Sequence, residues 1–228
     1  MASQSQNPQE RRQAFEVLVR SYWKPVYKTI RIKWRKTNED AKDLTQGFFS
    51  AAIEKNFFRG FDPQKARFRT YLRTCLDRYL ANEQKAAQRI KRGGDKKILA
   101  LDFDSAENEL KFSDLPDSQS IEDYFDKEWV RSLFSIAVEN LRKECESTSK
   151  SVHFKIFERY DLEAHSSDKS TYENLAFEFN LPVTKVTNYL AFARREFRRL
   201  LLENLREITL TEEEFRSEAK SLLGIDLK

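Results

Sequence analysis

The sequence predicts an all-α protein, and three observations carry that prediction. Apolar residues recur at helical spacing along almost the whole chain. Leu, Phe, Ala, Glu, Lys and Arg dominate the composition, while Val, Ile and Thr fall singly instead of in alternating runs. Gly and Pro number only five each. With 228 residues the chain can form one large or two small domains with a buried core. The expected architecture is two helical domains joined by an acidic linker, the second ending in a helix-turn-helix. The boundaries are 10–93 for the first domain, 94–121 for the linker and 122–207 for the second domain, with a helical extension over 208–228.

Residues 10–23 place Phe15, Leu18, Val19 and Tyr22 on one helical face. Pro25 suits the first turn of a following helix that carries Val26, Tyr27, Ile30 and Trp34. Asn38 reads as the N-cap of NEDAKDLTQGFFSAAIEK, whose inward stripe is Ala41, Leu44, Phe48 and Ala52. GFDPQ is a turn, after which Pro63 can open a long helix with Phe68, Tyr71, Leu72, Cys75 and Tyr79 inside. Arg92-Gly93-Gly94 ends it. Residues 95–120 have weak periodicity and read as a linker with no more than a short helical turn. Helical patterning resumes near Ile121, breaks at ESTSKS, returns in HFKIFERY and pauses again at EAHSSDKS. Near the C-terminus Thr211 and Glu214 form a capping box, and Gly224 closes the last helix.

The stretch from Thr171 to Glu207 holds two apolar-periodic runs separated only by Asn180, Leu181 and Pro182. Two helices meeting across so short a turn need a small residue at the crossing, which Ala176 supplies. The turn needs a residue that tolerates positive φ, and Asn180 is among the few besides Gly enriched there. Leu181 can plug the junction, and Pro182 presets φ where the second helix begins. Val183, Val186, Leu190, Ala193, Phe197 and Leu200 form its expected buried stripe. Outward at its start stand Thr184, Lys185, Thr187, Asn188 and Ala191, short hydrogen-bonding types that can read base edges in a major groove. Arg194, Arg195 and Arg198 follow a turn or two later and are expected against phosphates. An ordinary helix corner with a basic solvated face has the same pattern, so the corner alone does not name a function.

Net charge is only +4, but its distribution is segregated. From Arg59 to Arg92 ten Lys/Arg face three Asp/Glu; from Asp95 to Glu128 four face eleven; from Val183 to Leu201 five face one. Two basic blocks flanking an acidic one suggest two surfaces drawn to polyanions. In the first block Arg69 and Arg73 alternate with aromatics, and Phe58 and Phe61 precede them as the aromatics best placed for exposure. Aromatics beside cations can stack on unpaired bases while the cations hold the backbone.

Other classes have little to recommend them. No run of eighteen apolar residues exists to span a membrane, and MASQSQNPQERRQ lacks the apolar core of a secretion signal. A reduced, cytoplasmic protein is expected, with Cys75 and Cys145 as small core residues. His153 and His165 have no partner at metal spacing, and no phosphate loop, HExxH or nucleophile elbow occurs. Neither an enzyme nor a metal or other cofactor is expected.

EDAKDLTQGFFSAAI and FRGFDPQKARFRTYLRTCLDRYL, with the terminal helix pair, resemble a bacterial RNA polymerase sigma factor of the two-domain extracytoplasmic-function (ECF) type. The resemblance covers roughly residues 12–92 and 125–205. It implies that Asp40, Asp43 and Gln46 dock on the clamp of the polymerase β′ subunit. It also implies that Phe58, Phe61, Arg69 and Arg73 capture and melt the downstream promoter element, and that the last domain reads the upstream one. Duplex and melted promoter DNA, core RNA polymerase and an anti-sigma factor are the partners it allows, and the acidic linker would thread toward the polymerase active-site channel. Two departures stand out: Tyr71 replaces the usual tryptophan, and Leu76-Asp77-Arg78 replaces the usual Ala-Arg-Asn. The rival reading is a helix-turn-helix regulator whose N-terminal domain senses or dimerises, and a third is a helical adaptor that binds only proteins.

Overall fold

The computed structural model describes residues 8–55, 57–87, 101–110, 121–163 and 171–224. Among them every regular element is helical. These are α1 (Pro8–Lys33), α2 (Asn38–Glu54), α3 (Phe68–Ala87), α4 (Phe103–Asn108), α5 (Ile121–Ser147), α6 (Ser151–Phe157), α7 (Tyr172–Glu178), α8 (Val183–Ile208) and α9 (Glu212–Leu223). A 3-10 turn at Phe57–Gly60 follows α2, and a π turn at Glu158–Leu162 continues α6. The chain divides into two compact units, Met1–Ser132 with Leu205–Lys228, and Leu133–Asn204.

In the first unit α1 is one helix where two were expected. Pro25 lies inside it, and both halves are buried: Val19 and Tyr22 before the proline, Val26, Tyr27 and Ile30 after it. Burial of that continuous face offsets the ~3 kcal/mol that an interior proline costs. The cap of α2 is Thr37, one residue before the expected Asn38; its hydroxyl accepts from the Asp40 amide at 3.1 Å. Ala41, Thr45, Phe48, Phe49 and Ala52 are buried on α2, and Leu44 is only half-buried. The helix face is thus rotated from the expected stripe, because Phe49 also packs inward, its ring 6.3 Å from that of Phe15. Gly47 permits the approach of α3, since a Cβ there would fall on the Tyr79 hydroxyl.

Aromatic packing explains why the unit boundary falls elsewhere than the pattern suggests. Tyr124, Phe125 and Trp129 open α5 and are buried in the first unit. Tyr22 stands 5.8 Å from Phe68, 6.5 Å from Phe125 and 6.1 Å from Trp129, ring centre to ring centre. The end of α8 and all of α9, with Leu205, Ile208, Phe215 and Ala219 buried, belong to the same unit.

Part of the expected linker is a helix with a fixed place. Phe103 of α4 packs 5.4 Å from Trp23 and 5.2 Å from Tyr27. Its acidic neighbours are taken up by α1: Glu107 accepts from Arg31 and Tyr27, and Glu109 accepts from Lys24 at 2.6 Å and Lys28 at 2.8 Å. Lys28 also reaches Glu128 of α5 at 2.6 Å, and both side chains are buried. The remaining linker residues, 94–100 and 111–120, lie outside the described ones, as does the expected Gly93-Gly94 stop.

The second unit is built on Leu141, Cys145, Phe154, Ile156, Phe157, Leu175, Val186, Leu190, Ala193 and Leu200. Ala176 and Leu181 pack against this core, as the corner requires. α7 ends with Asn180 at φ 51°, and the amides of Asn180 and Leu181 close on the carbonyls of Phe177 (3.3 Å) and Ala176 (2.9 Å). That pair of bonds is the Schellman arrangement, which fills two carbonyls the helix end leaves open. Asn180→Gly is therefore expected to leave stability unchanged or raise it slightly. Asn180→Val should lower it by ~1–2 kcal/mol, because a β-branched side chain resists the left-handed conformation that Asn, with its short polar group, tolerates. Urea midpoints of the two variants check this, and equal midpoints would contradict it.

Candidate nucleic-acid interface

The start of α8 presents the row expected of it. Thr184, Lys185, Asn188 and Ala191 are exposed, and Val186, Leu190 and Ala193 on the opposite side are buried. Val183, expected inside, is 38 % exposed, because the chain enters the helix at the surface before the first inward turn. Thr187 is half-buried, and its hydroxyl donates back to the Thr184 carbonyl at 2.9 Å. Asn188 and Arg195 are seven residues apart, within ~20° of each other around the helix and ~10 Å along it.

The arginines of α8 are not equivalent. Arg194 grips Asp161 through two bonds of 2.8 and 2.7 Å and lies over the Tyr160 ring, so its guanidinium is committed within the unit. A phosphate contact at Arg194 would have to displace that pair. Arg195 meets the adjacent Glu196 at 3.1 Å and the Phe192 ring at 5.3 Å, an exposed arrangement that an incoming anion can displace at small cost. Arg199 sits among Glu144, Glu196 and Glu203. Arg198 is exposed and makes no ion pair among the described residues. The pairing of Arg194 was invisible in sequence because Asp161 is reached only through the π turn.

α6 supplies a titratable group beneath this helix. His153 stacks on Tyr189 at 3.7 Å and meets Phe192 edge-on at 5.2 Å, with its Nδ1 buried and unpartnered. Burial, helped by Lys150, holds its pKa below the ordinary imidazole value. The folded unit therefore keeps the ring neutral while the unfolded chain takes up a proton below about pH 6.5. Stability should be full above that value and fall as pH is lowered through it, and His153→Phe should remove that part of the slope. Urea midpoints at neutral pH and near pH 5.5 test the sign; a midpoint that rises on acidification in the wild type only would contradict it.

Along α3 the expected exposed surface is covered. Phe61 is buried, its ring 5.2 Å from Phe68 and 5.4 Å from Tyr71, so it is not free to stack on a base in this conformation. Arg69 is also buried: its guanidinium bonds Glu218 at 2.6 Å and Asp126 at 3.1 Å and lies 4.8 Å from the Trp129 ring centre. Arg73 is largely covered and faces Glu122 at 3.5 Å. These are corrections to the reading of Phe61, Arg69 and Arg73 as exposed: Phe61 turns back onto the start of α3, Arg69 is covered by α5 and α9, and Arg73 is met by Glu122 of α5. The side chain of Phe58 lies outside the described residues. Tyr71, the departure from the usual tryptophan, donates to the Phe57 carbonyl at 2.6 Å and pins the 3-10 turn. Asp77 pairs with Lys33 at 2.8 Å, and Leu76 is core.

α2 offers a separate acidic surface. Asp40 and Asp43 are exposed and Gln46 is half-buried, flanking the buried Ala41 and Phe48. Sequence reasoning missed Glu214 and Glu218 as partners of α3, and Phe177, which is 92 % exposed on α7. Burial pushes the Cys75 and Cys145 thiols up, so neither is a thiolate at neutral pH. Among the described residues no group of three His, Cys, Asp or Glu side chains is placed to hold a metal ion, and no helix is long and apolar enough to cross a membrane. Comparison with protein-family models, curated proteins and solved structures gives no match to this chain.

Proposed function

We propose that this protein is a bacterial sigma factor of the ECF type, a cytoplasmic helical protein that binds core RNA polymerase and directs initiation at particular promoters. In this reading α7 and α8 form a helix-turn-helix. The observation that carries it is the exposed row Thr184, Lys185 and Asn188, held outward by the Asn180 turn and by the buried Val186, Leu190 and Ala193. Arg195 and Arg198 lie further along the helix for the phosphates. The exposed carboxylates Asp40 and Asp43 support a polymerase-docking role for α2, as the resemblance implies.

Removing a base contact and removing a phosphate contact have different signatures. Asn188→Ala should cost ~1–3 kcal/mol on the preferred upstream sequence and little on others. Arg198→Ala should weaken binding to all duplexes alike and lower the slope of log affinity against log salt by about 0.9. Fluorescence anisotropy on a small set of duplexes separates the two. A uniform loss for Asn188→Ala would make that residue a positioning group and remove the main support for base reading.

One observation favours the rival, a helix-turn-helix regulator with a sensing or dimerising N-terminal domain. Arg69 and Phe61 are buried, and a regulator needs no exposed melting surface on α3. The two readings part over core RNA polymerase, which only a sigma factor must bind.

A further inference from the structure

The polar groups that α9 brings to the start of α3 are two carboxylates and a hydroxyl, and Asp126 of α5 adds a third carboxylate, on Arg69. Glu214 directs one carboxylate oxygen to the Phe68 amide, the first of α3, at 2.8 Å. Its other oxygen accepts from the Leu210 amide at 3.1 Å, so a single side chain serves two chain segments. One turn on, Glu218 meets Arg69 at 2.6 Å and Arg67 at 3.6 Å, and Ser217 is 3.4 Å from Arg67. A helix start with open amides and two flanking guanidinium groups is a setting for a phosphate, and here carboxylates occupy it.

We propose that α9 is an internal plug, in which Glu214 and Glu218 stand in for the phosphates of single-stranded DNA at the start of α3. DNA and the helix then compete for Arg67, Arg69 and the Phe68 amide. The inference rests on the reading of α3 as the strand-capturing helix and adds its regulation.

The construction of α9 suits a removable element. It has twelve residues, too few for an isolated helix to persist, so its order depends on its seat. The seat is made by Phe215 and Ala219 together with the buried Glu218. An ion pair taken out of water gains little over its desolvation cost, so exchanging a carboxylate for a phosphate on the same arginines is close to balanced. Burial does push the Glu218 carboxyl above the ordinary range, against the pull of Arg69 and Arg67. Arg206 stacks on Phe215 at 4.2 Å and bonds Glu212 at 3.0 Å, which ties the start of the seated helix to the end of α8.

Ala219→Glu in the full chain sets a charge on the seated face and should release α9, which faster tryptic cleavage after Arg216 and Lys220 reports. Binding of a labelled oligothymidylate should then tighten about tenfold or more. Its salt slope should steepen by about 1.4, the value for two added phosphate contacts on a single strand. Arg69→Ala in the released background should reverse about half of that increase. Should Ala219→Glu prevent folding by circular dichroism, the double variant Glu214→Gln, Glu218→Gln is measured instead, with the same gain expected. Release of α9, or loss of both carboxylates in a folded chain, without tighter oligothymidylate binding overturns the plug. Unchanged oligothymidylate binding beside normal promoter-directed transcription sinks the plug and leaves the sigma-factor reading standing. A gain in oligothymidylate binding by a chain with no affinity for core polymerase keeps the plug and removes that reading.

Discussion

Asp43→Arg is expected to leave the protein folded and to abolish its binding to core RNA polymerase. Asp43 is exposed on α2 and has no side-chain partner among the described residues. The start of that helix is already served by Thr37, Glu39 and Asp40. Losing a favourable charge near a helix start costs ~0.3–1 kcal/mol at most, which does not unfold a chain of this size. Reversing a charge inside an interface brings like charges together and costs several kcal/mol, a loss of a hundredfold or more in affinity. Circular dichroism and co-purification with core polymerase give the two halves of the result. A folded Asp43→Arg variant that still supports promoter-specific transcription would take the docking surface away from α2.

Lys28→Met carries the largest expected effect on stability. Lys28 and Glu128 are both buried and meet at 2.6 Å, and Glu109 closes the group on the Lys28 side at 2.8 Å. Removing the lysine leaves the Glu128 carboxylate in a place nearly closed to water, with Arg131 as its one remaining cation among the described residues. The expected loss is about 3–5 kcal/mol in urea unfolding, while Lys28→Met with Glu128→Leu should recover most of it. The recovery is the informative half, since it separates the cost of an orphaned charge from the net value of the pair. A single variant that loses less than about 1 kcal/mol would mean that water reaches this group.

The helices were legible in the sequence because their apolar period is local information. So were the Asn180 turn and the Thr211 cap, each set by a residue type within a few positions of the feature it controls. Pro25 misled because the cost of a proline is local, while the burial of Tyr22 and Val26 that outweighs it is tertiary. The same limit hid the state of α3. Nothing near Arg69 announces that Glu218, far along the chain, will cover it, and a basic helix that binds an internal carboxylate has the same pattern as one that faces solvent. Arg194 and Arg198 look alike in sequence, yet one is held by Asp161 and the other stands free of ion pairs among the described residues.

Run-off transcription with purified core RNA polymerase decides between a sigma factor and a regulator. Polymerase alone is expected to initiate without preference on a promoter library, and adding the chain should give defined start sites on a subset sharing an upstream sequence. Asn188→Ala should change which members of the library are used. A chain that binds duplex DNA sequence-specifically but neither associates with core polymerase nor alters its start sites would not be a sigma factor, and the regulator would stand in its place.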